Sequence, residues 1–467
     1  MVQLLHQLVA RLIAFKHITL TLPSFAATDR IAVTGEPYTG IASEIRGHPM
    51  KLSAFGTKFT TDSGILSLMD DLGNALAGDQ DMIMMGGGNP SHIPEVQTLF
   101  HDRTRRILDN PKEFQHLIGV YDPPQGEIEF TTNLAKLLHR ELGWEVSARN
   151  IALTNGSQSG FFMLFNMFAG AFDDGQQKKI QLPLAPEYIG YSDAGLNRDF
   201  FTAGHPKIDF IDAHTFKYRV DFDEIKISEQ TGAICVSRPT NPTGNVITDE
   251  ELAKLDELAK LNDIPLIIDG AYGTPFPNLI FTDATPLWNE NIIACMSLSK
   301  LGLPAARTGI IVASEEVIRA VASINAIINL STVSFGAVLT QDMVRTGEII
   351  RISNDLVKPY YQQRSQLAVA WFHEALGELP YYIHKAEGAM FLWLWFKDLP
   401  ISSLELYQRL KARGVLVVSG HYFFPGIAEG WQHQHECIRV TYTQDADSVK
   451  KGVGIIAEEA RKAYLQG

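Results

Sequence analysis

Cysteine is scarce in this chain, and the sequence has neither a basic run nor a long apolar one. Its 467 residues include three cysteines, Cys235, Cys295 and Cys437, which lie far apart. So small and scattered a set argues against a disulfide framework or a metal site such as zinc, and it favours a reducing cytoplasm. The net charge of −13 argues against nucleic acid as a partner. No apolar run reaches the roughly 18 residues that span a bilayer, so we predict no membrane partner either.

Residues 1–49 differ in composition and hydrophobic pattern from the rest of the sequence. They begin with the amphipathic stretch "MVQLLHQLVARLIAF" and continue as a polar segment punctuated by glycine and proline. A secretory signal would need a basic start, a long apolar core and a small-residue cleavage site. An organelle transit peptide is the alternative, although arginine and serine are sparse. We predict an extension that is either disordered or the product of a wrongly assigned start.

From about residue 100 to 335, apolar strands alternate with helical periods, as they do around a mostly parallel α/β sheet. In the clearest unit, a capping box formed by Thr248 and Glu251 opens a helix. The predicted strands of that unit are unbroken apolar runs, as expected for parallel strands covered on both faces; they are residues 233–237, 264–269 and 291–299. After about residue 345, long charged helices and a few strands predict a smaller α+β domain.

Polar side chains follow three successive strands of the predicted sheet, where ligands of parallel sheets gather. They are an amide, a carboxylate, a phenol, an amine and a guanidinium, namely Asn241, Asp269, Tyr272, Lys300 and Arg307. Each has a structural alternative: a turn for Asn-Pro-Thr-Gly, a helix cap for the carboxylate, a core position for the phenol and a surface position for the lysine. Their occurrence together and in this order favours a ligand site.

Pyridoxal 5′-phosphate (PLP) is the cofactor whose chemistry requires this set of groups. Its aldehyde needs a lysine, and its pyridine nitrogen needs a carboxylate that keeps it protonated; Lys300 and Asp269 are the candidates. The anionic 3′-oxygen of the ring needs donors, which Asn241 and Tyr272 can supply. A tyrosine beside the imine would also help to lower the pKa of the lysine.

Two stretches are predicted to bind the phosphate of this cofactor. The first is "SLSKLGLPAAR" (297–307), which offers hydroxyl groups and a cation. In the second, "LTNGSQSG" (153–160), a strand ends and an apolar helix begins, and a helix N-terminus favours anions. Its glycine permits close approach of the backbone. The predicted phosphate ligands are Ser297, Ser299, Arg307, Gly156, Ser157 and Gln158.

The outer face of the pyridine ring needs a flat partner. The stretch "APEYIGY" (185–191) follows an apolar strand, so either Tyr188 or Tyr191 could stack there. Tyr188 is the preferred candidate, and core packing is the alternative for both.

Three motifs resemble those of the fold-type-I PLP-dependent aminotransferases, in the aspartate aminotransferase superfamily: "NPTGN" (241–245), "DGAY" (269–272) and "SLSKLGLPAAR" (297–307). The similarity runs from about Met50, which resembles a family start, to near the C-terminus. It implies a large domain with a mostly parallel seven-stranded sheet between helices, plus a smaller α+β domain. The implied segments are a non-family extension (1–49), an N-terminal part of the small domain (50–99), the large PLP-binding domain (100–340) and the C-terminal small domain (341–467).

The resemblance also implies catalytic roles for the residues at the strand ends. Lys300 would be the Schiff-base lysine and would shuttle a proton. Asp269 would pair with the pyridinium, while Asn241 and Tyr272 would contact the 3′-oxygen, and Asn241 would also lie against the substrate. Arg307 comes seven residues after the lysine where many relatives have eight, a loop difference that we expect to leave its role intact.

Three further site residues follow from the resemblance alone. Tyr121, in "YDPPQG", would reach a phosphate in the partner subunit of a homodimer. Arg439, in "CIRVTY", would grip the α-carboxylate of the substrate, a task that suits a guanidinium fork. Gly88, in "GGGNP", would lie in a loop over the substrate.

Longer stretches, among them "LAPEYIGYSDAGL" and "EGAMFLWLWFKDLPI", resemble the members of this family that act on valine and pyruvate. We therefore expect ping-pong transamination between L-valine and pyruvate, giving 2-oxoisovalerate and alanine. The side-chain pocket should be apolar, with Tyr121, Tyr188 and "HYFFPG" (421–426) as candidate walls. Arg238 is expected in a structural ion pair, with substrate binding as the alternative.

Other functions remain open from the sequence. The fold also supports transamination of a different neutral amino acid and C–S β-lyase chemistry. An aminotransferase-like transcription regulator is a third alternative, although the 49-residue head is short and has no clear helix-turn-helix.

Overall fold

The computed structural model describes residues 51–60, 64–66, 69–70, 73, 82–428 and 430–466, all within one unit of the chain, Arg46–Gly467. Our prediction for residues 1–49 lies outside the described residues, and the domain boundaries given above stay predictions.

Strands form two large sheets and one short pair. In chain order they are β1 (Ile83–Met84), β2 (Ile151–Asn155), β3 (Gly170–Ala171), β4 (Gln177–Leu182), β5 (Phe201–Ala203), β6 (Lys207–Phe210), β7 (Thr215–Arg219), β8 (Thr231–Ser237), β9 (Leu266–Asp269), β10 (Ile292–Ser297), β11 (Thr308–Val312), β12 (Tyr381–His384), β13 (Phe391–Phe396), β14 (Val415–Leu416), β15 (Val418–Ser419) and β16 (Cys437–Thr441).

Helices connect and cover these strands. The α-helices are α1 (Ala54–Phe59), α2 (Pro94–Asp109), α3 (Pro111–Gly119), α4 (Ile128–Leu142), α5 (Ser157–Phe168), α6 (Asp249–Leu261), α7 (Glu315–Ile328), α8 (Phe335–Thr346), α9 (Glu348–Arg351), α10 (Lys358–Leu376), α11 (Ser403–Ala412) and α12 (Ala446–Gln466). A π-helix, Ile352–Val357, joins α9 to α10. The 3₁₀ turns are Ala148–Asn150, Ile189–Tyr191, Ser299–Leu301, Pro304–Ala306, Gly420–Phe423 and Gln432–His435.

The central sheet has the strand order β2-β11-β10-β9-β8-β4, with β5 also beside β4 and the two-residue β3 at the start of β4. Strands β10, β9, β8, β4 and β5 are parallel, and β11 runs antiparallel to both of its neighbours. This confirms the mostly parallel sheet. Every residue of β8 and of β10 is buried, as the unbroken apolar runs predicted.

Successive residues of these strands face opposite sides of the sheet. In β8, Cys235 packs into a core that also contains Cys295 and the aromatic side chains of α5, while Ile234 and Val236 face the other, larger core. The cysteines are free and serve here as small apolar side chains. Burial on both faces fixes the register, since a slip by one residue would exchange the two cores.

The register aligns the strand ends that bear the predicted site residues. Asp269, the last residue of β9, pairs with Ser237 at the end of β8 and with Cys295 near the end of β10. The loops that follow these strands therefore emerge together at one edge of the sheet. The predicted capping box at the start of α6 is present, with Thr248 and Glu251 satisfying each other's backbone N–H groups.

The second sheet has the order β15-β16-β13-β12-β7-β6. The aromatic strand β13 is buried throughout, and Arg439 of β16 pairs with Trp393 of that strand. The hairpin β6–β7 comes from the middle of the chain, yet it lies in this sheet, since Thr215 pairs with Ile383 of β12. Strand β1 pairs with β14 and leads the chain past β16, where the N–H of Thr441 donates to the carbonyl of Met85 (2.8 Å).

Within the described part of the chain, no helix is both long and apolar enough to cross a bilayer.

Candidate active site

A cavity of about 190 Å³ opens where β8, β9 and β10 end. Most residues predicted from the sequence line it: Gly88, Ser157, Gln158, Tyr188, Asn241, Asp269, Tyr272, Ser297, Ser299, Lys300, Arg307 and Arg439. Gly156 lies directly behind Arg307. Tyr121 is not part of the cavity, and its side chain is 81% exposed. The residues that form the apolar part of the lining were not predicted; they are Ile65, Met69, Phe161, Ile189 and Ala271.

Lys300 places an amine at the centre of this cavity. It lies in the 3₁₀ turn after β10, and its Nζ donates to the carbonyl of Gly88 (2.7 Å) and lies 5.4 Å from the centre of the Tyr272 ring. Burial, together with the nearby Arg439 guanidinium, lowers the pKa of Lys300 to about 8. A minor fraction of this amine is therefore neutral near pH 7, and neutral amines can attack a carbonyl carbon and accept protons.

Asp269 is a buried carboxylate that forms no ion pair among the described contacts. Its Oδ2 accepts the hydroxyl hydrogen of Tyr191 (2.6 Å), and its Oδ1 accepts the N–H of Ala271 (2.9 Å). Burial raises the pKa of Asp269, while these hydrogen bonds and the charge of Lys300 oppose that rise. A buried carboxylate without a counter-ion is costly, so the site is suited to a ligand that brings a cation.

The structure gives different positions to the two tyrosines considered for stacking, of which the sequence favoured Tyr188. Tyr191 is fully buried and uses its hydroxyl on Asp269, whereas Tyr188 lines the cavity. Their rings meet edge to face at 5.4 Å. Tyr188 thus stays the candidate for stacking on a ring, and Tyr191 has a contact that sequence reasoning missed.

The N-terminus of α5 and Arg307 meet at one end of the cavity. Gly156 is the N-cap of α5, with φ of +86° and no side chain to cap the helix, so the first N–H groups have no capping side chain. A Cβ at this position would overlap the Arg307 guanidinium, which explains the glycine. Arg307 forms no ion pair among the described residues. The side chain of Gln158 donates to the carbonyl of Gly190 (2.9 Å) and so holds the Tyr188–Tyr191 turn.

Arg439 is a second guanidinium without an acidic partner in the described structure, and it is only 2% exposed. Nη1 donates to Oδ1 of Asn241 (2.7 Å), Nη2 donates to the carbonyl of Gly86 (2.6 Å), and Nε has no partner. Because a guanidinium only donates, the amide of Asn241 must turn its oxygen to Arg439 and its NH₂ group away from it. Burial lowers the pKa of Arg439 to about 10, so it remains charged at neutral pH.

Two phenylalanine rings flank this arginine. Phe391 lies 4.2 Å and Phe423 lies 5.2 Å from the guanidinium carbon, as ring centroids. Phe423 belongs to the "HYFFPG" loop, a predicted wall of the side-chain pocket, but no residue of that loop lines the cavity. Arg238 is not in the cavity either, and its ion pair with Asp249 (2.5 Å) confirms the structural role expected for it.

Comparison with known proteins decides the family. Residues 97–456 match the model of the class I and II aminotransferases. The chain belongs to this family. It is 52% identical to valine–pyruvate aminotransferase of Escherichia coli K12, over 89% of this chain and all of that protein.

Solved structures agree with this assignment. An amino-acid aminotransferase from Psychrobacter arcticum 273-4 superposes with a TM-score of 0.87 at 48% identity, covering 90% of this chain and all of that one. Valine–pyruvate aminotransferase from Salmonella typhimurium LT2 gives a TM-score of 0.80 at 50% identity, over 86% of this chain and all of that one. Aspartate aminotransferase of Thermus thermophilus, at 21% identity, shares the fold with a TM-score of 0.71 over 88% of this chain and all of that one.

Aminotransferases of this family are PLP-dependent, and the residues of the cavity fit that cofactor. The bare N-terminus of α5 and Arg307 offer an anion site for the phosphate. Asp269 offers the buried negative charge that a protonated pyridine nitrogen needs, and Lys300 offers the amine for the aldehyde. The NH₂ group of Asn241 is the donor expected at the 3′-oxygen.

Proposed function

We propose that this aminotransferase moves the amino group between L-valine and pyruvate. The main support is the 52% identity to a valine–pyruvate aminotransferase over its entire length. The 50% identity to the Salmonella typhimurium valine–pyruvate aminotransferase points to the same substrates.

The charges of the cavity support a neutral amino acid as substrate. Its described lining contains three cations, Lys300, Arg307 and Arg439. If the first binds the aldehyde, the second the phosphate and the third the α-carboxylate, none is left for a second carboxylate on the substrate. Ile65 and Met69 add apolar surface, which suits a branched aliphatic side chain.

In this proposal, Arg439 orients the substrate and Lys300 moves its proton. The bound cofactor supplies an electron sink that acidifies the Cα–H bond of an amino acid. Lys300 Nζ would then be the group that accepts the proton from Cα and later releases it. Its pKa of about 8 lets it both take and release a proton near neutral pH.

The remaining residues hold charge and geometry. Asp269, with Tyr191 behind it, keeps a negative charge beside the pyridine nitrogen. Tyr272 and Asn241 would donate to the 3′-oxygen, and Tyr188 would pack on the ring face. Preorganised groups of this kind need no rearrangement during the reaction, which is where much of an enzyme's rate enhancement arises.

An absorbance spectrum of the purified protein tests the proposal. A visible band of lysine-bound cofactor should be bleached by L-valine and restored by pyruvate. A band that valine leaves intact but another neutral amino acid bleaches would overturn the substrate and keep the reaction. Release of ammonia and pyruvate from a cysteine conjugate, without bleaching by valine, would indicate β-lyase chemistry instead. Absence of a band after adding PLP would refute the role of Lys300.

We also propose that the chain acts as a homodimer in the cytoplasm. A patch of exposed apolar side chains, which we call the Tyr121 patch, supports the dimer; it comprises Ile118, Val120, Tyr121, Leu330, Val333 and Phe335, each at least 41% exposed. Its two segments are joined because Ser331 Oγ donates to the carbonyl of Asp122 (2.7 Å). The patch also adjoins the cavity, since Val333 N–H donates to Asn155, next to Gly156. A second copy seated there would let Tyr121 reach the partner's phosphate site.

Light scattering after size-exclusion chromatography tests the dimer. The L330E variant, which puts a charge in the Tyr121 patch, should elute as a monomer. L261E, at a leucine that is 75% exposed on α6, is the control and should remain dimeric. A wild-type protein that is monomeric at micromolar concentration would contradict the proposal.

A further inference from the structure

A buried ion pair lies beneath the loop of Asn241 and takes no part in the chemistry described so far. Lys217 of β7 and Glu387, between β12 and β13, contact each other through Nζ and Oε2, and each side chain is only 4% exposed. The Nζ of Lys385, whose side chain is half exposed, lies 3.0 Å from the other carboxylate oxygen. Burial acts against both charges, yet the Lys217 ammonium holds the pKa of Glu387 below its ordinary value. The Glu387 carboxylate is therefore ionised at neutral pH, while burial lowers the pKa of Lys217 against the opposing effect of Glu387.

This pair binds both backbone polar groups of Val246. Lys217 Nζ donates to the carbonyl of Val246 (2.9 Å), and the N–H of Val246 donates to Oε2 of Glu387 (3.2 Å). Val246 is where the loop "NPTGNV" (241–246) ends. The loop is closed on itself by the N–H of Thr240, which donates to the carbonyl of Asn245 (2.8 Å). Fixing Val246 therefore fixes the loop as a unit.

The turn between β12 and β13, which contains Glu387, also contacts the tip of the 241–246 loop. Gly244 has φ of +71°, and a Cβ there would lie 2.6 Å from the carbonyl oxygen of Gly388. Any side chain at Gly244 would push the turn and the loop apart. The two backbones are thus packed directly on each other, next to the ion pair.

The two segments held by the ion pair, the 241–246 loop and the chain that follows Glu387, each contain a residue that contacts Arg439. In the first, Asn241 begins the loop and accepts from Nη1 of Arg439. In the second, Phe391 follows Glu387 by four residues, lies against the Arg439 guanidinium and meets the ring of Tyr272 at 5.8 Å. One buried pair is therefore connected to the α-carboxylate site by two independent routes.

Stability alone does not explain why charges occupy these positions. Apolar residues of similar volume usually stabilise a fold as well as a buried ion pair does, or better. They could not, however, satisfy the N–H and the carbonyl of Val246, and a buried unpaired backbone group is costly. The pair suits a position where backbone geometry must be held precisely.

We propose that Lys217 and Glu387 are a positioning pair, which holds Asn241 and Arg439 in the geometry that binds the substrate carboxylate. The inference rests on the function proposed above for Arg439. It assigns a role in substrate binding to residues that touch neither substrate nor cofactor.

The test compares E387Q with the matched control E459Q. Glu459 is also buried (7% side-chain exposure) and also accepts from two cations, Arg413 (2.8 Å) and Lys462 (2.7 Å), but it lies on α12, with no contact to the loop. Each variant is examined as holoenzyme for the KM and kcat of valine and pyruvate. Hydrogen–deuterium exchange of the peptide that contains Val246 provides a readout independent of activity.

We expect E387Q to raise both KM values about tenfold, as for a weakened charged hydrogen bond, with kcat changed much less. Exchange at Val246 should be faster than in the wild type. E459Q should match the wild type in KM and in exchange at Val246, even if it unfolds at a lower temperature. Wild-type KM values in E387Q, with or without faster exchange, would overturn the proposal.

Two further variants keep the result interpretable. If E387Q does not fold, the double variant K217M/E387M removes both charges together, which buried pairs tolerate better than the loss of one; a raised KM supports the proposal and a wild-type KM refutes it. R439K separates this inference from the proposed function. If R439K leaves the KM for valine unchanged, the assignment of Arg439 fails; if only R439K raises KM, the positioning pair fails.

Discussion

Two groups of buried charges lie close together in this protein, and they are treated in opposite ways. Lys217 and Glu387 face each other and satisfy the backbone around them. Asp269 and Arg439, in the cavity, are at most 8% exposed, yet neither has a counter-ion among the described contacts.

The difference indicates that the paired charges hold the structure, whereas the unpaired charges are available to bind a ligand. A paired charge has already offset its desolvation, so it can fix geometry but has little capacity left for a ligand. An unpaired buried charge has lost its water without compensation, and a ligand of opposite sign recovers that loss on binding. Removing a cavity charge should therefore lower activity with little effect on stability. Removing a paired charge outside the Lys217–Glu387 pair should lower stability with little effect on activity.

The largest effect is expected at Lys300. K300A should lower kcat by at least about 10⁴-fold, because it removes both the amine for the cofactor and the group that moves the Cα proton. The visible band of the lysine-bound cofactor should disappear, while the melting temperature should not fall. K450A, at an exposed lysine of α12, is the control. A residual band in K300A would show that another amine takes its place.

Replacing Arg439 should affect activity strongly without lowering stability, which is the opposite of what we expect for a paired charge. R439A should raise the KM of valine and of pyruvate by about 10²- to 10³-fold, because two charged hydrogen bonds to a carboxylate are lost. Its melting temperature should stay the same or rise, since the variant removes a buried charge without a counter-ion. Steady-state kinetics and calorimetry measure the two quantities. A large loss of stability with an unchanged KM would reverse the comparison.

Much of this site is predictable from the sequence because it is built from strand ends. Asn241, Asp269 and Lys300 each follow an apolar run, and parallel strands bring their ends together without further information. The fold class is predictable for the same reason.

The residues that were missed act across long separations in the chain. Tyr191 and Asp269 are 78 residues apart, and Lys217 and Glu387 are 170 apart. Their pairing depends on how the two sheets and their connecting turns pack, which no local pattern encodes. Phe423 illustrates the point, because its loop was noticed for its aromatic content, but its contact with Arg439 on β16 follows only from the packing.

A variant of Tyr191 tests how far the pKa of the buried Asp269 carboxylate depends on the hydrogen bond from this uncharged side chain. Y191F removes the 2.6 Å hydrogen bond to Asp269, and we expect kcat/KM to fall about tenfold. That bond lowers the pKa of Asp269, so its loss should raise the pKa and move the acid limb of the pH–rate profile to higher pH. Y381F, whose hydroxyl contacts His373 far from the cavity (2.8 Å), should leave the profile unchanged. An unshifted acid limb in Y191F would mean that Asp269 does not depend on this contact.

The smallest effect is a shift in the pH dependence of Lys300, and its sign differs between two variants. In the cofactor-free protein, only the neutral amine reacts with PLP, so the association rate should rise with pH through a midpoint near 8, the pKa of Lys300. Arg439 disfavours the ammonium and lowers this pKa, whereas Asp269 favours it and raises the pKa. R439Q should therefore move the midpoint to higher pH and D269N to lower pH, as measured by stopped-flow absorbance. An unchanged midpoint in both variants would mean that burial alone sets the pKa of Lys300, and that the unpaired charges of the cavity do not act on one another.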